Sequence, residues 1–397
     1  MPSVNNRIAI LTLSVGAGHV RAAEVIERAL SDGENNLDVQ TIDALSLARR
    51  GFVWAYVNTY WLMLQRAPWL WRWLFETRQK KRHTSTAPHW FFRWGCVEVL
   101  RTLRAMEPKL VVVNEIGAAE IAALGKRESW FSCPILAVQT DYQTEPPWVQ
   151  EEIDAYCVGS EEARAQLLGW GISPNRVFVC GIPIDPTFAL SFDKRELMQS
   201  LGLDAHRPTV LVMGGGMGPV PLHEVVESLN RCGLPLQVIA VAGHNQGTRR
   251  HLESLRGKLA MDLRILGWSE NIPELMAAAD LLITKPGGVT SAEALAAGIP
   301  MLLTHPIPGP EERHVMYLER EGVAVYAKRL DQIPTLAHRL LCEPARLEEM
   351  RGRARAVSRP GAAYAVAQVA RALLDQATYI DLLANPSPRP SDSAFVM

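Results

Sequence analysis

The sequence predicts an α/β protein of two domains, each a parallel sheet covered by helices. Three observations predict it: a length of 397 residues, apolar strand-like runs alternating with helix-period segments, and a glycine-rich turn opening each half. A chain this long exceeds one ordinary core. Short apolar runs alternating with helical segments are the pattern of sheets buried on both faces.

In chain order the first run is 8–13, followed by a helical segment at 20–30. Next come 110–114 with a helix at 118–126, then the runs 135–139 and 155–158. The second half gives 209–213, 236–242, 263–266, 281–284 and 301–304. Gly181 to Phe188 (GIPIDPTF) punctuates the chain with two prolines, and a new strand–glycine–helix unit starts some way after it. The expected domains are therefore 1–182 and 189–358. Residues 359–384 are expected to form a helix able to pack back on the first domain, and 385–397 a disordered tail. No repeat of solenoid length is visible.

Composition narrows the class. With 48% hydrophobic and 21% charged residues the chain is neither disordered nor collagen-like. A formal net charge of −1 gives no overall field for nucleic acid. Cys96, Cys133, Cys157, Cys180, Cys232 and Cys342 are scattered singly, which argues against a zinc site or a disulfide framework and for a reduced, cytoplasmic compartment. The N-terminus runs directly into a strand and lacks the pattern of a signal peptide.

The most informative stretch is 279–314, ADLLITKPGGVTSAEALAAGIPMLLTHPIPGPEERH. It reads as a buried strand, a glycine turn at Gly287 and Gly288, a helix opened by Thr290, a second strand, and a proline-rich loop carrying Glu311 and Glu312. A helix start beside a glycine turn offers unpaired N–H groups and partial positive charge, which suit a phosphate. Carboxylates beyond it could accept hydrogen bonds from ribose or sugar hydroxyls. Thr290 and Glu293 also have capping-box spacing, so a capping and a ribose-binding Glu293 are not separable by pattern.

Gly214, Gly215, Gly216 and Gly218 form a strand-to-helix turn that could cradle a diphosphate, and they match neither the P-loop nor the dinucleotide fingerprint. In SVGAGH, Gly16 and Gly18 would let a substrate approach the backbone, but Arg21 stands where a dinucleotide motif needs glycine. His19 ends that motif near the sheet's C-terminal edge, where it could act as general base or be a helix-start histidine without chemistry. Asp141 in QTDY sits at another strand end and could orient or deprotonate a hydroxyl, or simply serve a turn.

Residues 52–94 break the alternation. They hold seven of the eleven tryptophans, and from Arg66 to Arg93 seven Lys/Arg stand against one acid, Glu76. No unbroken apolar run of membrane-spanning length occurs. We read the segment as interfacial, with Trp61, Trp69, Trp71 and Trp73 at headgroup depth and Arg72, Lys80, Lys81 and Arg82 toward anionic lipid. Each basic residue near such a surface contributes about 1 kcal/mol. The alternative is a helical hairpin whose aromatics are core.

Taken together, SVGAGH, QTDY, GIPIDPTF, GGGMG and KPGGVTSAEALAAGIPMLLTHPIPGPEE, in this order over residues 8–330, resemble the monogalactosyldiacylglycerol synthase family. These are glycosyltransferases related to the enzyme that makes lipid II in peptidoglycan synthesis. The resemblance implies a GT-B fold, two Rossmann-like domains facing a cleft, and inverting transfer of a hexose from a UDP-sugar to a lipid hydroxyl without a metal or other cofactor. It implies that His19 or Asp141 deprotonates the acceptor. The loop Gly214 to Gly218, with Lys285, Gly287, Gly288 and the helix after Thr290, would neutralise the diphosphate. Glu293 would bind ribose, Glu311 and Glu312 the sugar, and Gly267 and Trp268 would wall the uracil. The family's membrane-contacting insertion falls where 52–94 lies, so a cytoplasmic, peripheral membrane enzyme is expected. Two positions depart from the family pattern: Pro310 replaces a glutamine, and Glu145, Pro146 and Pro147 occupy a place that usually carries a histidine. The sequence therefore leaves the sugar and the lipid unnamed. Rival readings are a soluble UDP-sugar epimerase of the same architecture and a non-catalytic nucleotide-sugar-binding regulator.

Overall fold

In the computed structural model the chain forms two six-stranded sheets, every strand pairing of which is parallel. The structure describes residues 6–32, 37–81, 84–214 and 220–375. By their contacts these fall into two units. One comprises the described residues of Met1–Ile184, Pro308–Pro310 and Gly361–Met397; the other comprises those of Asp185–Ile307 and Glu311–Pro360. The proposed tail 385–397 lies outside the described residues, as do Arg82, Gly215, Gly216 and Gly218.

The first unit's sheet contains β1 (Arg7–Thr12), β2 (Asp38–Asp43), β3 (Leu110–Val113), β4 (Ile135–Val138), β5 (Ala155–Val158) and β6 (Val177–Val179), in the order β2-β1-β3-β4-β5-β6. Alternate residues feed opposite faces, as the strand period requires. Ile8, Ile10, Leu110, Val112, Leu136 and Val138 pack beneath helices Ala17–Ser31 and Ala362–Leu374. Ala9, Leu11, Val111, Val113 and Ala137 pack against helices Val97–Met106 and Ile116–Arg127. The C-terminal helix Ala362–Leu374 lies on helix Ala17–Ser31, where Arg371 donates to the carbonyls of Ala29 (3.0 Å) and Leu30 (3.1 Å).

The second unit's sheet contains β7 (Thr209–Met213), β8 (Gln237–Val241), β9 (Asp262–Leu266), β10 (Leu281–Thr284), β11 (Met301–Leu303) and β12 (Ala324–Tyr326). Its order is β12-β11-β10-β7-β8-β9. The chain winds one way from β7 to β9 and the other way from β10 to β12. The crevice between β7 and β10 is thus the topological switch point, the usual ligand position in such sheets.

Strands β2, β6 and β12 were not anticipated. β2 (DVQTID) is an edge strand without a buried apolar face, and β6 and β12 are only three residues long. The insertion 52–94 is helical: Arg50–Val53 continues through a π-helical turn, Trp54–Asn58, into helix Thr59–Arg66. Helices Pro68–Gln79 and His89–Gly95 follow. Its aromatics divide between core and surface. Phe52, Phe75 and Phe92 are buried, whereas Trp54 (68% exposed), Trp69 (72%), Trp73 (58%), Trp90 (69%) and Trp94 face solvent with Leu62 and Leu74. Trp61 and Trp71, expected on a membrane face, are half-buried instead. Tyr60 packs edge-on against both, and Trp71 donates its indole N–H to the Pro308 carbonyl at 3.0 Å. Helical spacing explains the split: Trp69 and Trp73 are i, i+4 on one face, Trp71 and Phe75 on the other.

No helix of the described residues is long and apolar enough to cross a membrane. All six cysteines carry free thiols.

Candidate functional site

At the carboxyl edge of the second sheet, the candidate residues line up strand by strand. β10 ends at Thr284, and Lys285 to Gly287 lead into helix Gly288–Ala297. Gly287 is its N-cap and no side chain caps it, so the first-turn N–H groups present their partial charge to the edge. Thr290 does not open the helix: it is the third helical residue, and the capping box is absent. Glu293 consequently lies in the second turn, 9% exposed, rather than beside the first N–H groups.

Lys285 Nζ pairs with Glu311 Oε1 at 2.5 Å, with both side chains nearly buried (12% and 9% exposed). The pair lies over Gly287, where an added Cβ would stand 3.7 Å from Nζ and 3.8 Å from Oε1. The other carboxylate oxygen of Glu311 accepts from the Ile307 N–H at 2.8 Å. Glu311 and Glu312 are not in a loop: they occupy the first turn of helix Pro310–Arg320, for which the fixed φ of Pro310 is suited. Glu311 is committed to Lys285 and Ile307, and Glu312 is the half-buried member of the two.

On the other side of the switch point, Gly214 follows β7 and packs against Leu222. Gly267 and Trp268 follow β9. The Trp268 ring, 55% exposed, stacks on His244 with centroids 4.4 Å apart and planes 11° from parallel. Sequence reading missed His244, which follows Gly243 at the end of β8; nothing local signals the stack. It also missed His305 after β11, a non-glycine residue at φ 48° whose ring nitrogen lies 2.8 Å from the Thr304 hydroxyl. From β9 through β8, β7 and β10 to β11 is four strand spacings, about 19 Å. An aromatic surface, an uncapped helix start and a carboxylate are therefore spread in that order along one edge.

The first unit carries its own group at the carboxyl edge of β1, β3 and β4. His19 is in the first turn of helix Ala17–Ser31. Asn114, just past β3, donates to its carbonyl at 2.6 Å, and Thr140, just past β4, meets its Nδ1 at 3.2 Å. Asn114 and Thr140 are buried, whereas His19 is half-buried. Asp141 is half-buried next to Thr140. Its loop is held by Ser160 Oγ donating to the Tyr142 carbonyl (2.5 Å), and Gly159 leaves the room that the Asp141 carbonyl needs. Gly16, the N-cap, is extended (φ −144°), so its role is not a left-handed turn; Gly18 is helical.

Acids behind this edge are held partly neutral. Burial pushes Glu115, which caps helix Ile116–Arg127 through the Ala118 N–H, up to about 8. Burial pushes Glu120 up to about 7, against hydrogen bonds from Ser85 and Thr86 that pull it down. These bonds tie the insertion to the sheet scaffold. Among the described residues, no group of three or more His, Cys, Asp or Glu side chains could hold a metal ion.

Two family models match the chain: monogalactosyldiacylglycerol (MGDG) synthase over residues 19–184, and the glycosyltransferase family 28 C-terminal domain over 209–356. A processive diacylglycerol beta-glucosyltransferase of Bacillus cereus (strain AH187) is 27% identical over 362 residues, 90% of this chain and 91% of that one. One from Bacillus licheniformis is 28% identical over 353 residues, 88% of this chain and 90% of its own. Among solved structures, Acinetobacter baumannii MurG shares the fold with a TM-score of 0.60 at 16% identity, covering 92% of this chain and 99% of that one. Anabaena HepE, solved with UDP and glucose, gives a TM-score of 0.55 at 14% identity, covering 94% and 99%. The fold is GT-B.

Proposed function

This chain belongs to the monogalactosyldiacylglycerol synthase family of glycosyltransferases, with a family 28 C-terminal domain, and on that premise we propose that it moves a hexose from a UDP-sugar to a lipid hydroxyl with inversion. The observation that carries the donor assignment is the uncapped start of helix Gly288–Ala297 at the switch point, with Lys285 above Gly287. The diphosphate would lie there, its charge met by backbone N–H groups and Lys285 rather than by a metal. Uracil would stack on Trp268, and Glu312 would meet the sugar. Glu293, in the second turn, would take the ribose.

On the acceptor side, His19 would remove the hydroxyl proton as the oxygen attacks the anomeric carbon from the face opposite the departing UDP. A base in this role contributes ~10²–10⁴-fold. Asp141 is the second candidate for that proton. The relatives' names point to glucose as the sugar and diacylglycerol as the acceptor.

The exposed tryptophans of the insertion support docking on an anionic membrane surface. Trp69, Trp73 and Arg72 are exposed on helix Pro68–Gln79, with Lys80 and Lys81 at its end. Indole rings beside cations suit the headgroup layer. An enzyme whose acceptor is a membrane lipid needs such a face, whereas an epimerase acting on a soluble nucleotide sugar does not.

The test is UDP release from a panel of UDP-hexoses over liposomes with and without diacylglycerol, in buffer containing EDTA. Lipid-dependent release with UDP-glucose is expected. Release that ignores the lipid, or none despite UDP binding, would overturn the proposal.

A further inference from the structure

We infer that Thr140 is a positioning residue that fixes the tautomer of His19. In this arrangement the Thr140 hydroxyl accepts from Nδ1–H, so that the lone pair of the ring lies on Nε2. The inference rests on the reading of His19 as the base.

The geometry comes from two adjacent strands. Asn114, 0% exposed, grips the His19 main chain from the end of β3 at 2.6 Å. Thr140, 3% exposed, meets Nδ1 from the end of β4 at 3.2 Å. The residue is thus held at both its backbone and its ring. Nδ1 faces the buried Thr140 hydroxyl, so a substrate hydroxyl would have to be met by Nε2.

A neutral imidazole has one N–H and one lone pair, and the partner of one nitrogen decides the state of the other. If the hydroxyl donated to Nδ1, the proton would sit on Nε2 and the ring could not take another there. If the hydroxyl accepts, Nε2 carries the lone pair. During transfer the acceptor O–H bond breaks and its proton goes to Nε2. The oxygen's electron pair forms the glycosidic bond, and the bond to UDP breaks with its electrons leaving on the phosphate. The imidazolium so formed keeps Nδ1–H on Thr140.

The direction of the hydrogen bond has a measurable sign. An acceptor at Nδ1 stabilises the imidazolium, so its loss lowers the His19 pKa. A donor at Nδ1 stabilises the neutral ring, so its loss raises it. Titratable groups on the neighbouring strand ends are Asp43, the last residue of β2, Glu115 after β3 and Asp141 after β4. All three are retained in the variants, so they cancel in the comparison.

The experiment measures pH profiles of kcat and kcat/KM for wild type, Thr140→Val, Thr140→Ser and His19→Ala, together with UDP affinity. Thr140→Val should lower kcat about tenfold, a fraction of a general base's contribution. It should leave UDP affinity unchanged and move the acid limb to lower pH, and Thr140→Ser should restore both. An acid limb that stays or moves up, or a serine variant that does not restore it, overturns the inference. His19→Ala with wild-type turnover instead overturns the base reading itself. Should Thr140→Val not fold, ¹⁵N spectra of the wild-type imidazoles decide: the resonance lost in His19→Ala must show a protonated Nδ1, and a protonated Nε2 overturns the inference.

Discussion

Lys285 and Glu311 form a nearly buried ion pair at 2.5 Å directly over Gly287, the residue that starts helix Gly288–Ala297. A cation at this point serves two ends. It neutralises the Glu311 carboxylate, and in the proposed donor site it would also meet the diphosphate.

Glu311→Gln should strip that cation of its partner and destabilise the fold by about 3 kcal/mol, the usual scale for breaking a buried pair from one side. Urea unfolding measures it. The double variant Glu311→Gln with Lys285→Met should recover much of the loss, because no unpaired charge remains. Additive losses would show that the pair is not coupled.

Trp268→Ala should raise the KM for the UDP-sugar about tenfold with little change in kcat. Stacking of a base on an aromatic ring is worth ~1–3 kcal/mol. Calorimetric titration with UDP checks it, and unchanged affinity would remove Trp268 from the base site.

Trp69→Ser combined with Trp73→Ser should cut partition onto anionic liposomes by about tenfold or more. Both rings are already exposed, so thermal stability should stay within about 0.5 kcal/mol of wild type. Flotation with and without added salt reads the effect. Equal flotation of variant and wild type would move the membrane face elsewhere.

Stability should also fall as pH rises. Glu115 and Glu120 ionise at about 8 and about 7 in the folded chain, against an ordinary value of 4.5. Each binds a proton more tightly folded than unfolded. Its contribution is therefore complete below about pH 4.5 and declines as pH rises, until it is lost near pH 7 for Glu120 and pH 8 for Glu115. The urea midpoint of Glu120→Gln should accordingly change less between about pH 5.5 and pH 8.5 than that of wild type. Parallel profiles would mean that Glu120 is ionised in the folded protein throughout.

By itself the sequence determined the α/β class and the strands β1, β3 to β5 and β7 to β11, because an apolar run between helical segments has one stable place, inside a covered parallel sheet. It also determined that Gly214, Gly267 and Lys285 follow strand ends and that His19 stands where the first loop enters its helix, since a residue just past a strand emerges at the sheet edge. The family resemblance rested on the motifs that hold His19, Gly214 and Lys285, among others. What only the tertiary structure decided were the partners. Thr140 and Asn114 reach His19 from residues 121 and 95 positions away, and Glu311 reaches Lys285 across 26. Helix starts also escaped the sequence, because T-x-x-E at 290–293 imitates a capping box that lies inside a helix already begun at Gly288. The tryptophans of helix Pro68–Gln79 divided in the same way: composition made them a group, but which ones face solvent depends on what packs against the helix. Strand order and side-chain pairing are long-range properties, so local pattern locates a residue on an edge and only the assembled sheet chooses its neighbour.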